Sequence, residues 1–529
     1  MALVHSEHTI DYDEIMLRLH SMSEPEYALF TRRTNPTAHE PIGVRVPKLR
    51  ALAKEYRGFD FHDFFERAKA GSWEEQMLCA MLIGALKGEV EERLWYLKRF
   101  VPYIEDWAVN DTLTSDFKVR TKERDTIREF LIPYLLSDRE FEQRFGVVML
   151  TDHFLQPEDA DFVFKWIDRV GQEEYYSMMA VAWLLATALA KLPSETEAYI
   201  TGPNRLPLET LRMTVRKAYD SYRVPRELYE RIRDFVAGEQ TVDLHIHSSV
   251  SDGTVNPENI PQEVQKRGIS VYAVCDHDFV EADRILAEAG HEATRPSEAT
   301  CRAAEIVFGA AGTPVRIDGV ELNSLYKNND THILGLGVDT RNEAFLKFVA
   351  QDRKMLDDIS VVLLERMQKD GYEISFDEFE RYDYDHTKGG WKTLYYLVDK
   401  GFAADVSEAM GLYAKYDAGY DCVAFPSVSE AIAAIHEAGG VAILAHPGVT
   451  LKRYERENFE KEFLELMQFD FDGVECYYST HRGYVKNFCL DYCEEHDLLI
   501  TSGSDCHGSF SKPKIGDPGT RLSQVRLCK

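Results

Sequence analysis

The sequence predicts a multidomain protein with an all-α N-terminal half and an α/β C-terminal half. The chain has 529 residues, which is more than a single hydrophobic core usually supports. Up to about residue 235, apolar residues recur at helical spacing, and strand-like alternation is scarce. Beyond about residue 242, short β-branched segments alternate with helical ones. Such alternation is typical of parallel βα units in a barrel or an open sheet.

The N-terminal half, residues 1–235, is predicted to be a series of short helices. One of them begins at Ser72, because Ser72 and Glu75 have the spacing of a capping box. The same helical rhythm covers residues 89–103, 124–136, 139–154, 158–170, 173–191, 208–222 and 225–236. Successive short helices with short connections suggest an α-solenoid of stacked helix pairs.

Seven short strands are predicted in the C-terminal domain, residues 242–529, which follows a linker at 236–241. The strands cover residues 242–247, 271–275, 315–322, 331–338, 441–445, 473–477 and 498–502. Helices are predicted between most of them, at 257–267, 297–310, 427–438 and 482–496. From about 342 to 420 the pattern is helical and interrupts the alternation, which predicts a helical insertion.

Charge and cysteine content narrow the class of protein. The formal net charge of −29 argues against generic, charge-driven adhesion to DNA or to a membrane. It is compatible with a local basic groove, and with anionic substrates that metal cations receive. The nine cysteines are scattered and form no CxxC motif, as expected of reduced thiols in a cytoplasmic protein. We find no signal-peptide pattern and no apolar run long enough to span a bilayer, so we expect a cytoplasmic protein without a membrane partner.

Histidines and carboxylates recur at the ends of the predicted strands. In the first strand polar residues occupy every second position, so Asp243, His245 and His247 share one face. Two imidazoles on one edge can bind one metal ion, and Asp243 can orient a ligand. Asp252 follows shortly afterwards.

Further groups of this kind follow the other strands. They are Asp276, His277 and Asp278, then Glu321, His332, His446, and finally Asp505 and His507. A single histidine is usually a surface or core residue, but parallel strands bring such residues together at one mouth of a barrel. Imidazole and carboxylate ligands without thiolates suit Zn, Fe or Mn better than Mg or Ca. Clustered divalent ions can activate water and clamp both oxygens of an in-line phosphoryl transfer.

In their order these motifs resemble the PHP (polymerase and histidinol phosphatase) family over about residues 240–520, and in particular its TrpH-like branch, which also has a helical insertion. The resemblance implies a distorted (β/α)7 barrel and a metal-dependent phosphoesterase with two or three Mn, Fe or Zn ions. The implied ligands are His245, His247, Glu321 and Asp505 for the first metal, Glu321, His332 and His446 for the second, and Asp252, His277 and His507 for the third. Of these, Asp505, His446 and Glu321 are expected to be catalytic.

The chain departs from the TrpH-like branch in the insertion. Members of that branch commonly carry Arg-Pro-His there, whereas Lys392 stands at the position of the histidine in this chain. Coordination of the second metal is therefore less determined than that of the others. Lys392 can hold a substrate phosphate as a point charge, or it can be a solvated lysine. His481 and Arg482 are further candidate substrate contacts, and Arg482 can equally be the solvated start of a helix.

The N-terminal half offers a second candidate site. Trp107 and Asp111 are four residues apart on a predicted helix and share a face. An exposed aromatic ring beside a carboxylate can flank a cationic, alkylated base; a core tryptophan with a solvated aspartate is the other interpretation.

Residues 20–235 resemble AlkD-like DNA alkylation repair proteins, which are built from HEAT-like repeats. The resemblance carries contacts with DNA or with an alkylated base to Trp107, Asp111, Arg144 and Trp183. Basic residues that can supply phosphate contacts are Lys118, Arg120, Lys122, Arg124, Arg212, Arg216, Lys217 and Arg223. Excision of alkylated bases is left open, because many members bind nucleic acid without it.

Three functions follow from these features. The first is a nucleic-acid-processing enzyme of the 5'-3' exonuclease or nucleoside bisphosphate phosphatase type. In this enzyme the C-terminal half hydrolyses phosphorylated nucleotides or oligonucleotides, and the solenoid binds DNA. The second is a small-molecule phosphomonoesterase, with the solenoid as a protein-binding scaffold. The third is a non-catalytic binding protein, which the nearly complete ligand set disfavours. No Gly-x-Ser-x-Gly or Walker A motif supports acyl transfer or a nucleotide-driven reaction.

Overall fold

The computed structural model describes residues 8–35, 39–299, 313–327, 329–451 and 456–528. It divides the chain into two compact units, Met1–Val236 and Ala237–Lys529.

The N-terminal unit consists of helices and loops. Its α-helices within the described residues are α1 (Tyr12–Ser21), α2 (Pro25–Thr34), α3 (Val46–Glu55), α4 (His62–Ala68), α5 (Trp73–Gly84), α6 (Val90–Phe100), α7 (Trp107–Asp116), α8 (Arg124–Leu135), α9 (Glu140–His153), α10 (Ala160–Ile167), α11 (Tyr175–Lys191), α12 (Pro193–Thr201), α13 (Leu208–Tyr219) and α14 (Arg226–Gly238). The predicted all-α character of this half is confirmed. The capping box at Ser72 and Glu75 is present at the start of α5, with hydrogen bonds in both directions.

Alternate helices form the interior of this unit. Helices α5, α7, α9, α11 and α13 pack against one another in that order. Most residues of α5, α9 and α11 are buried, because these helices are covered on several sides. The candidate residues of the N-terminal half lie on three neighbours in this row, α7, α9 and α11.

The C-terminal unit is built around one seven-stranded sheet whose strand order follows the chain. Its strands are β1 (Thr241–Ile246), β2 (Ile269–Val274), β3 (Val315–Tyr326), β4 (Asn329–Leu336), β5 (Val441–Leu444), β6 (Gly473–Tyr478) and β7 (Leu499–Gly503). Each lies where the sequence predicted a strand.

The direction of β4 corrects the prediction of uniformly parallel units. β4 is antiparallel to both β3 and β5, whereas the other neighbours are parallel. The physical reason is the short connection between β3 and β4, since a parallel crossover needs a dozen or more residues and a hairpin needs only a few.

The sheet is nearly closed by the segment that follows β7. The amide of Asp505 donates to the carbonyl of His245 at 2.8 Å, and the amide of His247 donates to the carbonyl of Cys506 at 3.1 Å. The ends of β1 and β7 are therefore held side by side, as in a barrel.

Helices cover the sheet and form the insertion. They are α15 (Ile260–Lys266), α16 (Glu281–Glu288), α17 (Glu343–Lys369), α18 (Phe376–Arg381), α19 (Lys392–Asp399), α20 (Val406–Lys415), α21 (Val428–Glu437), α22 (Pro447–Thr450), α23 (Arg456–Leu466) and α24 (Gly483–Glu495). Helices α17 to α20 make up the insertion and pack around their own apolar cluster, which includes Leu363, Met367, Leu394 and Leu397. The predicted helix at 297–310 lies mostly outside the described residues.

None of the helices that the structure describes is long and apolar enough to cross a membrane.

Candidate metal centre

All nine ligands expected from the sequence come together at one end of the sheet. They are His245, His247, Asp252, His277, Glu321, His332, His446, Asp505 and His507. His332 reaches this end although β4 is antiparallel, because it lies near the start of β4 and pairs with Asn323 near the end of β3.

The first group contains His245, His247, Glu321 and Asp505. The Nε2 atoms of the two histidines are 3.1 Å apart, and both lie 3.2 Å from Oε2 of Glu321. Oδ1 of Asp505 lies 3.0 Å from Nε2 of His247 and 3.7 Å from Nε2 of His245. Ligand atoms about 2.1 Å from a single ion are about 3.0–3.5 Å from one another, so this spacing fits a cation at the centre of the group.

The second group uses the other oxygen of Glu321. Oε1 of Glu321 lies 3.0 Å from Nδ1 of His332 and 2.9 Å from Nε2 of His446. His277 also contributes, because its Nδ1 is 3.1 Å from Oε2 of Glu321. Glu321 thus has five imidazoles around it, with one carboxylate oxygen directed to each side.

The third group lies beside the first. Nε2 of His507 is 3.2 Å from Oδ2 of Asp252, and Nδ1 of His247 is 3.5 Å from Oδ1 of Asp252. Together with His277, these residues place their ligand atoms within 4.8 Å of one another. His247 therefore directs Nε2 to the first group and Nδ1 to the third.

The residues present fit divalent cations. Among the nine expected ligands, all of which the structure describes, four buried side-chain atoms make no hydrogen bond: Nδ1 of His247, Nδ1 of His277, Nε2 of His332 and Oε2 of Glu321. A buried polar atom without a partner costs free energy, and a bound cation would remove that cost. The donor set of imidazoles and carboxylates suits Mn, Fe or Zn.

Electrostatics at the centre is governed by the burial of opposite charges. Burial raises the pKa of Glu321, but the imidazoles of His245, His277 and His332 outweigh it and hold that pKa well below the usual value. Burial lowers the pKa of His277 to about 3. Burial also lowers the pKa of His247, but the carboxylates of Asp505 and Glu321 outweigh it and raise this pKa to about 10.

Glu475 is a functional residue that sequence analysis missed. It lies on β6 with no exposed surface, and its carboxylate accepts a hydrogen bond from Nδ1 of His245 at 3.1 Å. It also accepts the backbone amide of His446 at 2.9 Å. By binding Nδ1, Glu475 leaves Nε2 of His245 free for a cation, as carboxylates beside metal-bound histidines commonly do.

Gly503 gives Glu475 the room that this contact needs. A Cβ at Gly503 would lie 2.2 Å from both Oε1 of Glu475 and Cβ of His245. The signal in the sequence was a glutamate between Val474 and Cys476, inside an otherwise apolar strand.

Asp243, which the sequence suggested could orient a ligand, is buried. Its carboxylate accepts the backbone amides of Ser504 at 2.9 Å, of Gly516 at 2.7 Å and of His245 at 3.4 Å. Asp243 therefore anchors the segment that carries Asp505. The hydroxyl of Tyr478 donates to Oδ2 of Asp505 at 2.8 Å and fixes the carboxylate itself; sequence analysis did not identify this tyrosine.

Three residues of the centre have left-handed backbone conformations. Asp278, His446 and Asp505 have φ values of 52°, 25° and 52°. Non-glycine residues rarely adopt such values, and they persist where surrounding contacts enforce them, often at functional sites. For His446 the enforcing contacts include the hydrogen bond from its amide to Glu475.

The three candidate substrate contacts lie outside the ligand groups. The ammonium of Lys392 donates to the carbonyl of Glu380 at 2.9 Å. His481 is buried, with Nδ1 on the carbonyl of Cys476 and Nε2 accepting the amide of Gly448. Arg482 is exposed at the N-cap of α24. Both ring nitrogens of His481 are engaged, so one of these contacts would have to break before His481 bound a substrate, whereas the ammonium of Lys392 has further N–H donors.

In the N-terminal unit, the structure joins Asp111 to Arg144. The guanidinium donates to both carboxylate oxygens, at 3.1 and 2.7 Å, and to the carbonyl of Tyr176 at 3.2 Å. Trp107, at the start of α7, donates its indole N–H to the carbonyl of Thr34. Trp183 on α11 is half-buried and packs against the core. The four candidates thus lie on adjacent helices, and Asp111 is already paired.

Several of the basic residues expected to contact phosphate have carboxylate partners. Arg124 pairs with Asp159, Arg120 with Glu123, and both Arg212 and Arg216 with Glu209. A phosphate would have to compete with these carboxylates for the same guanidinium groups.

The two halves of the chain are similar to different known proteins. Residues 15–220 match the family profile described as "DNA alkylation repair enzyme". A 5'-3' exoribonuclease Rnm from Escherichia coli is 26% identical over 275 residues, covering 50% of this chain and 84% of the relative. A 3',5'-nucleoside bisphosphate phosphatase from Chromobacterium violaceum is 28% identical over 282 residues, covering 50% and 87%.

A solved structure of an amidohydrolase from Chromobacterium violaceum, with bound sulfate and no metal, is 24% identical with a TM-score of 0.40, covering 54% of this chain and 98% of that chain. The C-terminal half is thus similar in sequence to curated enzymes that hydrolyse phosphoester bonds, and residues 15–220 are similar to the DNA alkylation repair proteins.

Proposed function

We propose that this protein, whose C-terminal half is related to PHP-type metal-dependent phosphoesterases, hydrolyses phosphoester bonds of nucleotides or oligonucleotides. Its reaction would be that of a 5'-3' exonuclease or of a nucleoside bisphosphate phosphatase, as the names of the two relatives suggest. The observation that carries the proposal is the position of Glu321, whose two oxygens lie within 3.2 Å of nitrogen atoms from five histidines.

Nine residues would hold two or three divalent ions, of Mn, Fe or Zn. When bound, such ions supply an activated water and clamp the oxygens of the transferred phosphoryl group. Glu321 would contribute to both the first and the second ligand group, because Oε2 lies against His245 and His247 and Oε1 lies against His332 and His446. Tyr478 and Glu475 hold Asp505 and His245 in the orientation that ligation needs. Asp505, His446 and Glu321 remain the proposed catalytic residues.

Substrate class is tested with the Mn²⁺-loaded full chain. It is offered p-nitrophenyl phosphate, a nucleoside 3',5'-bisphosphate and a 5'-phosphorylated oligonucleotide in parallel. We expect turnover of the bisphosphate or the oligonucleotide to exceed that of p-nitrophenyl phosphate in kcat/KM. Hydrolysis of simple monoesters alone would favour the small-molecule phosphomonoesterase and overturn the proposal.

For the N-terminal half we propose a HEAT-like solenoid that binds nucleic acid. The supporting observation is that Trp107, Asp111, Arg144 and Trp183 lie on the adjacent helices α7, α9 and α11. Because Arg144 occupies Asp111, a cationic base at this place would compete with the guanidinium for the carboxylate.

Base excision by this half is tested separately. Release of 7-methylguanine or 3-methyladenine from alkylated DNA is measured for the wild type and for Asp111→Asn. If the N-terminal half is a glycosylase, the wild type releases the alkylated base and Asp111→Asn does not. No release by the wild type would restrict the N-terminal half to binding.

A further inference from the structure

Three rings of the insertion form a stack beside the third ligand group. The ring of Tyr384 lies 4.4 Å from that of His386, at an interplanar angle of 30°, and 4.9 Å from that of Tyr395, at 14°. His386 is the most exposed member, with 53% of its side chain accessible. The stack therefore presents an aromatic surface to solvent.

The loop that carries Tyr384 and His386 is fixed to the end of the barrel, and Tyr395 lies in the following helix, α19. The hydroxyl of Tyr384 donates to the carbonyl of Gly390 at 2.7 Å, and the amide of Gly390 donates to the carbonyl of Asp252 at 2.7 Å. Gly389 has φ +72°, and a Cβ there would lie 2.8 Å from Cβ of Phe510 and 2.9 Å from the carbonyl of Asp252. Glycine allows these segments of the chain to approach one another this closely, because it has no Cβ.

The fixed loop places the stack near the candidate metal centre. Asp252, whose carbonyl receives Gly390, has its carboxylate 3.2 Å from Nε2 of His507 in the third ligand group. A substrate with its phosphate among the ligand groups would extend past Asp252 towards the rings. The surface is ordered before a ligand arrives, which lowers the entropic cost of binding.

The charges around the stack determine whether the base or the phosphate of a substrate can bind there. Asp383 is almost fully exposed, and its carboxylate lies 3.8 Å from Nε2 of His386. Asp385 accepts hydrogen bonds from Thr387 at the start of the 3-10 turn His386–Lys388. The ammonium of Lys388 lies 5.6 Å from the centroid of the Tyr395 ring, so two carboxylates and one ammonium leave a net negative charge that disfavours a phosphate. A neutral base with an exocyclic amino group can stack on the ring of His386 and donate to Asp383.

We infer that the Tyr384–His386–Tyr395 stack is a platform for the nucleobase of a substrate whose phosphate lies at the metal centre. The inference rests on the proposed function and adds a specificity determinant to it. Base stacking on aromatic side chains is tolerant of sequence because every base has a π-face. The platform therefore favours nucleotides over sugar phosphates without requiring one particular base.

The test measures the contribution of the base to binding. Calorimetry on the Mn²⁺-loaded full chain compares two phosphonates that resist hydrolysis, the analogues of adenosine 5'-monophosphate and of ribose 5-phosphate. We expect the adenosine analogue to bind about tenfold more tightly or better. His386→Ala should bring the ratio of the two affinities close to one, and His386→Phe should restore it. Tyr416→Ala, which alters an aromatic side chain in a different part of the insertion, is the matched control and should keep the ratio.

Equal binding of the two analogues by the wild type, no binding of either, or an unchanged ratio in His386→Ala would overturn the inference. The outcome is separable from that of the proposed function, because the analogues are not turned over. If the adenosine analogue binds more tightly but nucleotides are not hydrolysed, the stack is a binding site and the proposed function is wrong. Hydrolysis of nucleotides with a ratio of one would sustain the proposed function without the platform.

Discussion

Two charged sites, one in each unit, are arranged in opposite ways. In the N-terminal unit, Asp111 and Arg144 form a closed ion pair, with 2.7 Å between the carboxylate and the guanidinium. In the C-terminal unit, imidazoles and carboxylates surround Glu321, and several of their atoms make no hydrogen bond among the described residues. Buried charges are stable when they are paired or bind a metal. The first arrangement is a closed ion pair within the fold. The second has the donor atoms of a cation site.

The contrast also appears in the backbone. Asp278, His446 and Asp505 have left-handed conformations at the metal centre, whereas Asp111 and Arg144 lie within regular helices. Strain is therefore concentrated in the unit that we propose to be catalytic. Changes at the two places should have different consequences, on activity in one and on stability in the other.

The largest effect is expected at Glu321. Glu321→Gln removes the charge that two ligand groups share, and we expect kcat for phosphoester hydrolysis to fall about a thousandfold, equivalent to about 4 kcal/mol of activation free energy. Steady-state kinetics with Mn²⁺ provides the measurement. Glu380→Gln alters an exposed carboxylate of the insertion and should retain wild-type kcat. A loss of less than tenfold in Glu321→Gln would remove the proposed bridging role.

Glu475→Gln should reduce metal affinity by about 10- to 100-fold, because carboxylates that hold a metal-bound histidine typically contribute that much. Titration of the metal-free protein with Zn²⁺ or Mn²⁺ measures the affinity directly. The substitution should also weaken the restraint on the tautomer of His245, whose Nδ1 faces Glu475 at 3.1 Å. If affinity stayed at the wild-type value, Glu475 would be only a structural residue of β6.

Asp111→Asn should lower the stability of the N-terminal unit without affecting metal binding. The substitution leaves the nearly buried guanidinium of Arg144 without its carboxylate, which we expect to destabilise the N-terminal unit by about 1–3 kcal/mol. Urea unfolding of the full chain gives the free energy, and metal content should not change. The control is Asp116→Asn, since the exposed pair of Asp116 with Arg50 should contribute only about 0–1 kcal/mol. Equal losses in the two variants would contradict the comparison.

Metal uptake should release protons. The pKa of His247 is raised to about 10, because the carboxylates of Asp505 and Glu321 outweigh burial, and the pKa of His245 is also raised by nearby carboxylates. Both imidazoles are therefore protonated near neutral pH without a cation, and a cation must displace those protons. Affinity should rise as pH increases from 6 to 8, by about tenfold per pH unit for each proton released. Calorimetry in buffers of different ionisation enthalpy counts the protons, and a count of zero would contradict this account.

Local patterns in the sequence predicted the strands, because strand formation depends on neighbouring residues, whereas the set of metal ligands came from the resemblance to the PHP family. The β-branched segments located all seven strands, and the alternation of Asp243, His245 and His247 located the first edge. The antiparallel direction of β4 was not predicted, although the short link after β3 is a hairpin signal.

The partners of the ligands were harder to predict. Glu475 contacts His245 across 230 positions of sequence, and no local pattern reports such a contact. The pairing of Asp111 with Arg144, between α7 and α9, is another long-range feature of this kind. Sequence analysis therefore found the residues that form motifs and missed the residues whose role depends on folding.

The central claim, that His245 through His507 converge to bind divalent cations, is tested most directly by counting metal. Elemental analysis is performed on the full chain purified without chelator, and again after Mn²⁺ loading and dialysis, for the wild type and for a variant with His245→Ala and Glu321→Ala. The account predicts two or three equivalents in the wild type and a loss of at least one in the variant. No bound metal in the wild type under either condition would contradict it.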